Sequence, residues 1–379
     1  VAPAVAAAKV CGPRITAPLA EAPWAQARLR PDLAWPLSTG AGITVAVIDS
    51  GVSDNHPSLA GKVLPGRDYL ASGGNGHCDQ NGHGTLIAGL IAGRPETSAG
   101  YRFFGVAPDA RILPVRVLLD QQRSLDPALS GTIANAIRWS VDVGRAQVVN
   151  LSLTTEPTKA LASAVAHAIA KGAVVVAATG NGGDTAGGDG TATYPAAYPG
   201  VIGVAGVDDQ DQHVGTSTTG SFVDVAAPGL RIAGPSPAGG GYLFAADGGT
   251  SFAAGYVSGV VALIRAYHRE LTPDQVLQRL TQTAQHPPGG WNPDVGFGVV
   301  DPVRAVGALM VAGAGAASAP GDQRVPAPVI KRKATSVVTV AAVLVGAGGV
   351  AVAGLVVVAV PVVRRGRRRQ WRPAGRRPA

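Results

Sequence analysis

The chain lacks acids at one end: no Asp or Glu follows Asp322 in its 379 residues. That asymmetry accounts for the formal net charge of +8. Lys331, Arg332, Lys333 and eight arginines from Arg364 to Arg377 stand after residue 330. Removing these 11 cations from the 32 Lys and Arg leaves 21 against 24 acids, so residues 1–330 carry about −3. A nucleic-acid-binding body needs cations spread over a folded face. The basicity belongs to the tail, which excludes nucleic acid as a partner of the body.

Charge of either sign is missing from Ala334 to Val363, a run rich in Val, Ala, Gly and Leu. A helix of about 20 apolar residues crosses a bilayer core, so residues 334–363 are predicted to form one transmembrane helix. Its glycines, among them Gly346, Gly348, Gly349 and Gly354, are tolerated in membrane helices and permit close packing. More cations follow the run than precede it. The positive-inside rule therefore puts the C-terminus in the cytoplasm and residues 1–330 outside, as a single-pass plasma-membrane protein. Residues 364–379 become an Arg-rich tail lying against anionic membrane lipids.

Cysteine is nearly absent. In an oxidising exterior the pair Cys11 and Cys78 reads as a disulfide that ties the N-terminal segment to a loop of the body. His77 and His83 stand near Cys78 and raise a metal alternative, but the spacing matches no zinc pattern. The sequence opens at Val1, and "VAPAVAAAKV" is similar to the small-residue end of a signal peptide, so an upstream export signal is expected.

Residues 1–41 are rich in Pro and Ala and read as an extended arm. From residue 42 to 310 short apolar runs alternate with helical stretches. "ITVAVID", "RILPVRVL", "AQVVNLSL" and "GAVVVAAT" are the Val/Ile-rich runs expected of strands buried on both faces. "GTLIAGLIAG", "LSGTIANAIRWSVDVG" and "EPTKALASAVAHAIAKG" are helix candidates between them. This order predicts an α/β fold with a central, mostly parallel sheet between helical layers. Thr272 and Pro273 mark another helix start. Residues 311–333 have no periodicity and read as a flexible linker with a basic end.

Reactive groups on such a sheet gather beyond the carboxyl ends of the strands. Asp49 closes "ITVAVID", where an acid before Ser-Gly is equally a turn residue. Absence of a G-x-G-x-x-G turn at this place excludes a dinucleotide site. His83, bracketed by glycines at the start of a buried helix, is hard to explain as packing. Asn181 ends the most apolar strand, either as a turn former or as a donor to an oxyanion. Ser251, in "DGGTSFAAGYVSG", is either the N-cap of a helix or a nucleophile at its mouth. Together they make one mechanism. Ser251 attacks a carbonyl, His83 carries the proton, Asp49 holds the imidazole, and Asn181 with the helix start grips the oxyanion.

"VAVIDSGV", "NGHGTLIAG", "ATGNGG" and "GGTSFAAGYVSGVVALI" resemble, in this order, the four signature motifs of subtilisin-like serine proteases. The resemblance implies the subtilisin-like three-layer fold, peptide-bond hydrolysis and no cofactor. Within "VNLSL" it implies an edge strand pairing with substrate backbone, with Ser152 and Leu153 as binding residues. No counterpart of the family's calcium loops is recognisable, so no metal is expected. The Pro-rich arm, linker, membrane run and basic tail make the chain similar to the mycosins, membrane-anchored proteases of type VII secretion systems. That likeness implies an arm wrapped round the catalytic domain, an exported protein or peptide substrate, and the secretion membrane complex as partner. It also leaves a structural role in that complex as the alternative function. Gly255 departs from the family, which has Pro there. With the position taken as the first turn, the expected cost is about 1 kcal/mol of helix stability.

Overall fold

Strand formation follows the apolar runs. The computed structural model describes residues 11–13, 15–70, 74–119, 127–183, 192–310 and 364–366. Strands β1 (Thr44–Asp49), β2 (Arg67–Asp68), β5 (Arg111–Arg116), β6 (Val148–Leu151), β7 (Val174–Ala178), β8 (Val201–Val207) and β9 (Val225–Pro228) build one sheet. Its order is β2-β5-β1-β6-β7-β8-β9 and every pairing is parallel. Two antiparallel hairpins stand apart, β3 (Glu96–Ser98) with β4 (Tyr101–Phe103) and β10 (Ile232–Pro235) with β11 (Tyr242–Ala245).

The period of two divides each strand between two cores. Val45 and Val47 of β1, with Val174 and Val176 of β7, face helices α2 (His83–Ala92) and α5 (Thr250–Tyr267). Ala46, Ile48, Val175 and Ala177 point the other way, against α3 (Pro127–Asp142) and α4 (Lys159–Ala170). Alternate side chains thus bury both faces, which is why these strands read as unbroken apolar runs. α4 starts at the side chain of Thr158, and α6 (Pro273–Thr283) has a capping box between Thr272 and Gln275. α7 (Pro302–Gly307) closes the layer beside α5.

Three expectations change. The segment before residue 42 is not wholly extended: it holds α1 (Trp24–Leu29) and a 3-10 turn, Pro31–Leu33. Leu19, Ala25 and Leu29 enter the main core, and Arg28 pairs with Asp211 at 2.7 Å. Apolar residues spaced through the arm reach core surface that a free arm would leave wet. Second, β6 lies between β1 and β7, so it is an inner strand and not an edge. Third, Gly255 is the sixth residue of α5, beyond the first turn. Its N–H lies past the unpaired first-turn groups, so the argument for a costless proline does not apply there.

A Cβ added at Gly255 would lie 3.4 Å from the Ile87 side chain, an ordinary contact. Gly255→Ala is therefore expected to stabilise the fold by about 1 kcal/mol. Thermal unfolding in a Ser251→Ala background, free of self-digestion, measures it; a lowered Tm would show that Ile87 cannot accommodate the methyl.

Contacts divide the chain into units Val1–Ala319 and Pro320–Ala379. In the second, the described residues are Arg364–Gly366, one helical turn. Among the described residues no helix is long and apolar enough to cross a membrane. The run 334–363, like the linker 311–333, lies outside the described residues.

Candidate active site

Asp49 ends β1 at the carboxyl edge of the sheet, and His83 opens α2 directly after Gly82. Their side chains meet: His83 Nδ1 lies 2.8 Å from Asp49 Oδ1, with both residues buried. The same Asp49 oxygen accepts the Ser50 N–H at 2.7 Å. Burial by itself would depress the His83 imidazole. The Asp49 charge and hydrogen bond, joined by the charge of Asp79, outweigh it and hold the ring above its ordinary value.

Asp79 is a residue the sequence reading missed. Fully buried, it accepts five hydrogen bonds: from Ser50 Oγ, the N–H groups of Asn81, Gly82 and Thr85, and Thr85 Oγ1. Ser50 Oγ in turn accepts the Gly84 N–H. The first turn of α2, and His83 with it, is therefore fixed to the end of β1 through one carboxylate. An acid four residues ahead of His83, just before a helix, was the available signal.

Ser251 is not the N-cap of α5. Gly249 caps the helix and Ser251 is its second residue. Gly248 sits at φ 68°, and a Cβ there would fall 2.0 Å from the Gly229 carbonyl oxygen, so only glycine makes this approach. With no cap of its own, the helix start borrows Asn181: the side-chain oxygen Oδ1 accepts the Thr250 N–H at 2.9 Å and the Thr250 hydroxyl at 3.1 Å. Anchoring the oxygen leaves the amide nitrogen facing Gly249, where an added Cβ would lie 3.0 Å from it.

Phe252, the residue after Ser251, brings the start of α5 to the histidine: its ring lies 5.6 Å from the His83 ring. The Ser251 hydroxyl donates to the Ser152 carbonyl at 3.1 Å, and Ser152 Oγ donates to the Ser251 carbonyl at 2.8 Å. Behind them, Asn150 Nδ2 donates to Ser152 Oγ and Ser258 Oγ donates to Asn150 Oδ1, both at 2.9 Å. Ser152 thus holds the serine from the end of β6. Leu153 is buried in the second core.

A cavity of about 420 Å³ opens beside the pair, lined by His83, Leu86, Leu243, Phe244, Asp247 and Phe252 among others. Cys11 and Cys78 are joined in a disulfide, which removes Cys78 from the metal alternative. Among the described residues no group of three or more His, Cys, Asp or Glu could hold a metal ion.

The arrangement is an acid–imidazole pair near a helix start that carries a hydroxyl, with an amide nitrogen facing the cap residue of that helix. It can activate an oxygen nucleophile and stabilise a developing oxyanion. Residues 40–298 match the model of the subtilase family. Mycosin-4 of Mycobacterium tuberculosis is 38% identical over 338 residues, covering 78% of this chain and 72% of the relative. The solved MycP3 protease of the ESX-3 type VII secretion system superposes with a TM-score of 0.69 at 34% identity, over 79% of this chain and 92% of that one. A chain in the periplasmic assembly of the ESX-5 inner membrane complex gives 0.67 at 31% identity, over 79% and 87%. The chain belongs to the subtilase family and is a subtilisin-like serine protease related to the mycosins of type VII secretion.

Proposed function

We propose that the protein is a membrane-anchored endopeptidase that cuts exported proteins through an acyl-enzyme on Ser251. The observation that carries this reading is the buried Asp49–His83 pair beside the start of α5. On substrate arrival the Ser251 hydroxyl turns from the Ser152 carbonyl to His83, a rotation about one side-chain bond. Its oxygen bonds to the scissile carbonyl carbon as His83 Nε2 takes the proton. The carbon–nitrogen bond then breaks, and the proton passes to the leaving amine. Water repeats the sequence on the ester and frees Ser251.

Asn181 Nδ2 and the first N–H groups of α5 are the oxyanion donors in this reading. Asn181→Ala is expected to lower kcat by roughly 10²–10³, the loss known for such a donor in a subtilisin. KM should change little. The lost support of the Thr250 N–H also costs about 1 kcal/mol of stability, and an unchanged kcat would remove Asn181 from the reaction.

The uncharged run 334–363 and the arginines beyond it support a single membrane span with the protease outside and the C-terminus in the cytoplasm. Likeness to a chain of the ESX-5 periplasmic assembly supports association with a type VII secretion complex, where a structural role would coexist with proteolysis. A membrane-impermeant fluorophosphonate added to intact cells tests the whole reading. It should label Ser251 in carbonate-resistant membranes and leave Ser251→Ala unlabelled. Absence of labelling in wild type would defeat the nucleophile, and label in the soluble fraction would defeat the anchor.

A further inference from the structure

The cavity beside His83 has a chemistry that the reaction leaves unused. In the proposed mechanism His83 hands its proton to the leaving amine, so the departing chain passes His83. A cavity walled by His83 and Phe252 therefore receives side chains that follow the scissile bond. Its surface is polar and apolar in nearly equal parts, with Asn81 among the polar lining. The apolar part comes from Leu86 and Phe252, which are buried, Leu243, half-buried, and Phe244, 55% exposed at the rim. Asp247 stands at the same rim, exposed and in no ion pair among the described residues. No cation is among the lining residues, and the carboxylates nearest behind His83, Asp49 and Asp79, add charge of the same sign.

The outer wall is braced, not loose. Leu243 and Phe244 lie on β11, whose Tyr242 N–H donates to the Ala17 carbonyl of the N-terminal segment at 2.9 Å. Ser236 beside β10 donates to the Pro13 carbonyl, and the disulfide ties Cys11 to Cys78, next to Asp79. The arm thus backs the hairpin from outside and keeps the cavity formed in the free protein.

Apolar side chains on part of the wall and one carboxylate at the mouth fit a side chain with a long aliphatic stem and a cationic head. We propose that this cavity selects lysine or arginine among the first two residues after the scissile bond, with Asp247 as the group that reads the charge. The proposal rests on the endopeptidase reading and adds to it a substrate class: exported chains with a basic residue on the leaving side of the cut.

Competition among matched peptides in one tube tests it. A peptide library first gives a cleaved sequence, and versions with Arg, Leu or Asp at the two positions after the cut are then mixed. Arg should exceed Asp in kcat/KM on the order of tenfold, from attraction in one peptide and repulsion in the other. Raised salt should shrink the ratio. Asp247→Asn should reduce it to about twofold, and Asp247→Lys should invert it, so that the Asp peptide is cut faster than the Arg peptide. Because each ratio is internal to one sample, altered folding or total activity drops out of it. A ratio indifferent to the charge at position 247 overturns the proposal. So does a protein that takes the serine probe yet cuts no library peptide, and in that case the nucleophile reading survives. Failure to take the probe overturns both.

Discussion

Ser251→Ala will abolish peptide hydrolysis, with a loss in kcat on the order of 10⁶, the size known for this substitution in a subtilisin. In the proposed mechanism the Ser251 hydroxyl is the nucleophile, and a methyl cannot form the acyl-enzyme. Stability should barely change. What the substitution removes from the fold is one hydrogen bond from Ser251 Oγ to the Ser152 carbonyl, at a half-buried position. The reciprocal bond from Ser152 Oγ to the Ser251 carbonyl uses backbone and survives. The informative pair of measurements is therefore turnover and Tm on the same preparation. Hydrolysis retained above about one part in 10³ would require a nucleophile other than Ser251. The inactive variant also separates two physiological roles. If secretion persists with it but fails when the whole protein is absent, the contacts of the protein matter more than its chemistry.

Asp49→Asn is expected to cost about 10⁴ in kcat, a magnitude known for the corresponding acid in another serine-protease fold. Two effects combine. A neutral amide no longer enforces the tautomer that leaves Nε2 free to accept the Ser251 proton, and it no longer stabilises the imidazolium. The pH profile carries a second, independent signature. In the wild-type protein the charges of Asp49 and Asp79 hold the His83 imidazole above its ordinary value against the opposing effect of burial. Activity requires the neutral ring, so it falls as pH drops through that raised value, above about 6.5. Removing the Asp49 charge lowers the imidazole, and the residual activity of the variant should persist to lower pH. A limb that stays in place would mean that Asp49 does not set the titration of His83. A small loss in kcat would mean that the 2.8 Å contact is structural.

The candidate site was legible in the sequence as a set rather than one residue at a time. Asp49 is the last residue of a six-residue strand, His83 stands between two glycines, and Ser251 follows Gly-Gly-Thr. Taken alone, Asp49 reads equally as a turn residue and Ser251 as an N-cap, and only His83 is hard to explain as packing; their order along the chain made a mechanism. The supports were less visible because they join residues far apart. Ser152 and Ser251 are 99 positions apart, and their two mutual hydrogen bonds leave no trace in local composition. Asp79 could have been read as a cap of α2, but its bond to Ser50 depends on how α2 lies across the end of β1. Gly255 was placed a turn too early because the glycines before Thr250 gave no sign of which residue caps the helix; Asn181, from the loop after β7, takes over that support.

By itself the sequence determined the alternation of strands and helices, the four motifs, the pairing of the two cysteines and the uncharged run near the C-terminus. These are written in periods of two or 3.6 residues, in single glycines and in net charge, all of which act within a few residues. The tertiary structure decided that β6 is an inner strand, that the N-terminal segment enters the core, and that Leu153 is buried. It also decided that the wall of the leaving-side cavity is braced by Pro13 and Ala17. Those outcomes follow from which apolar faces bury one another most completely. That is settled by competition among the elements of the fold and cannot be read within any one of them.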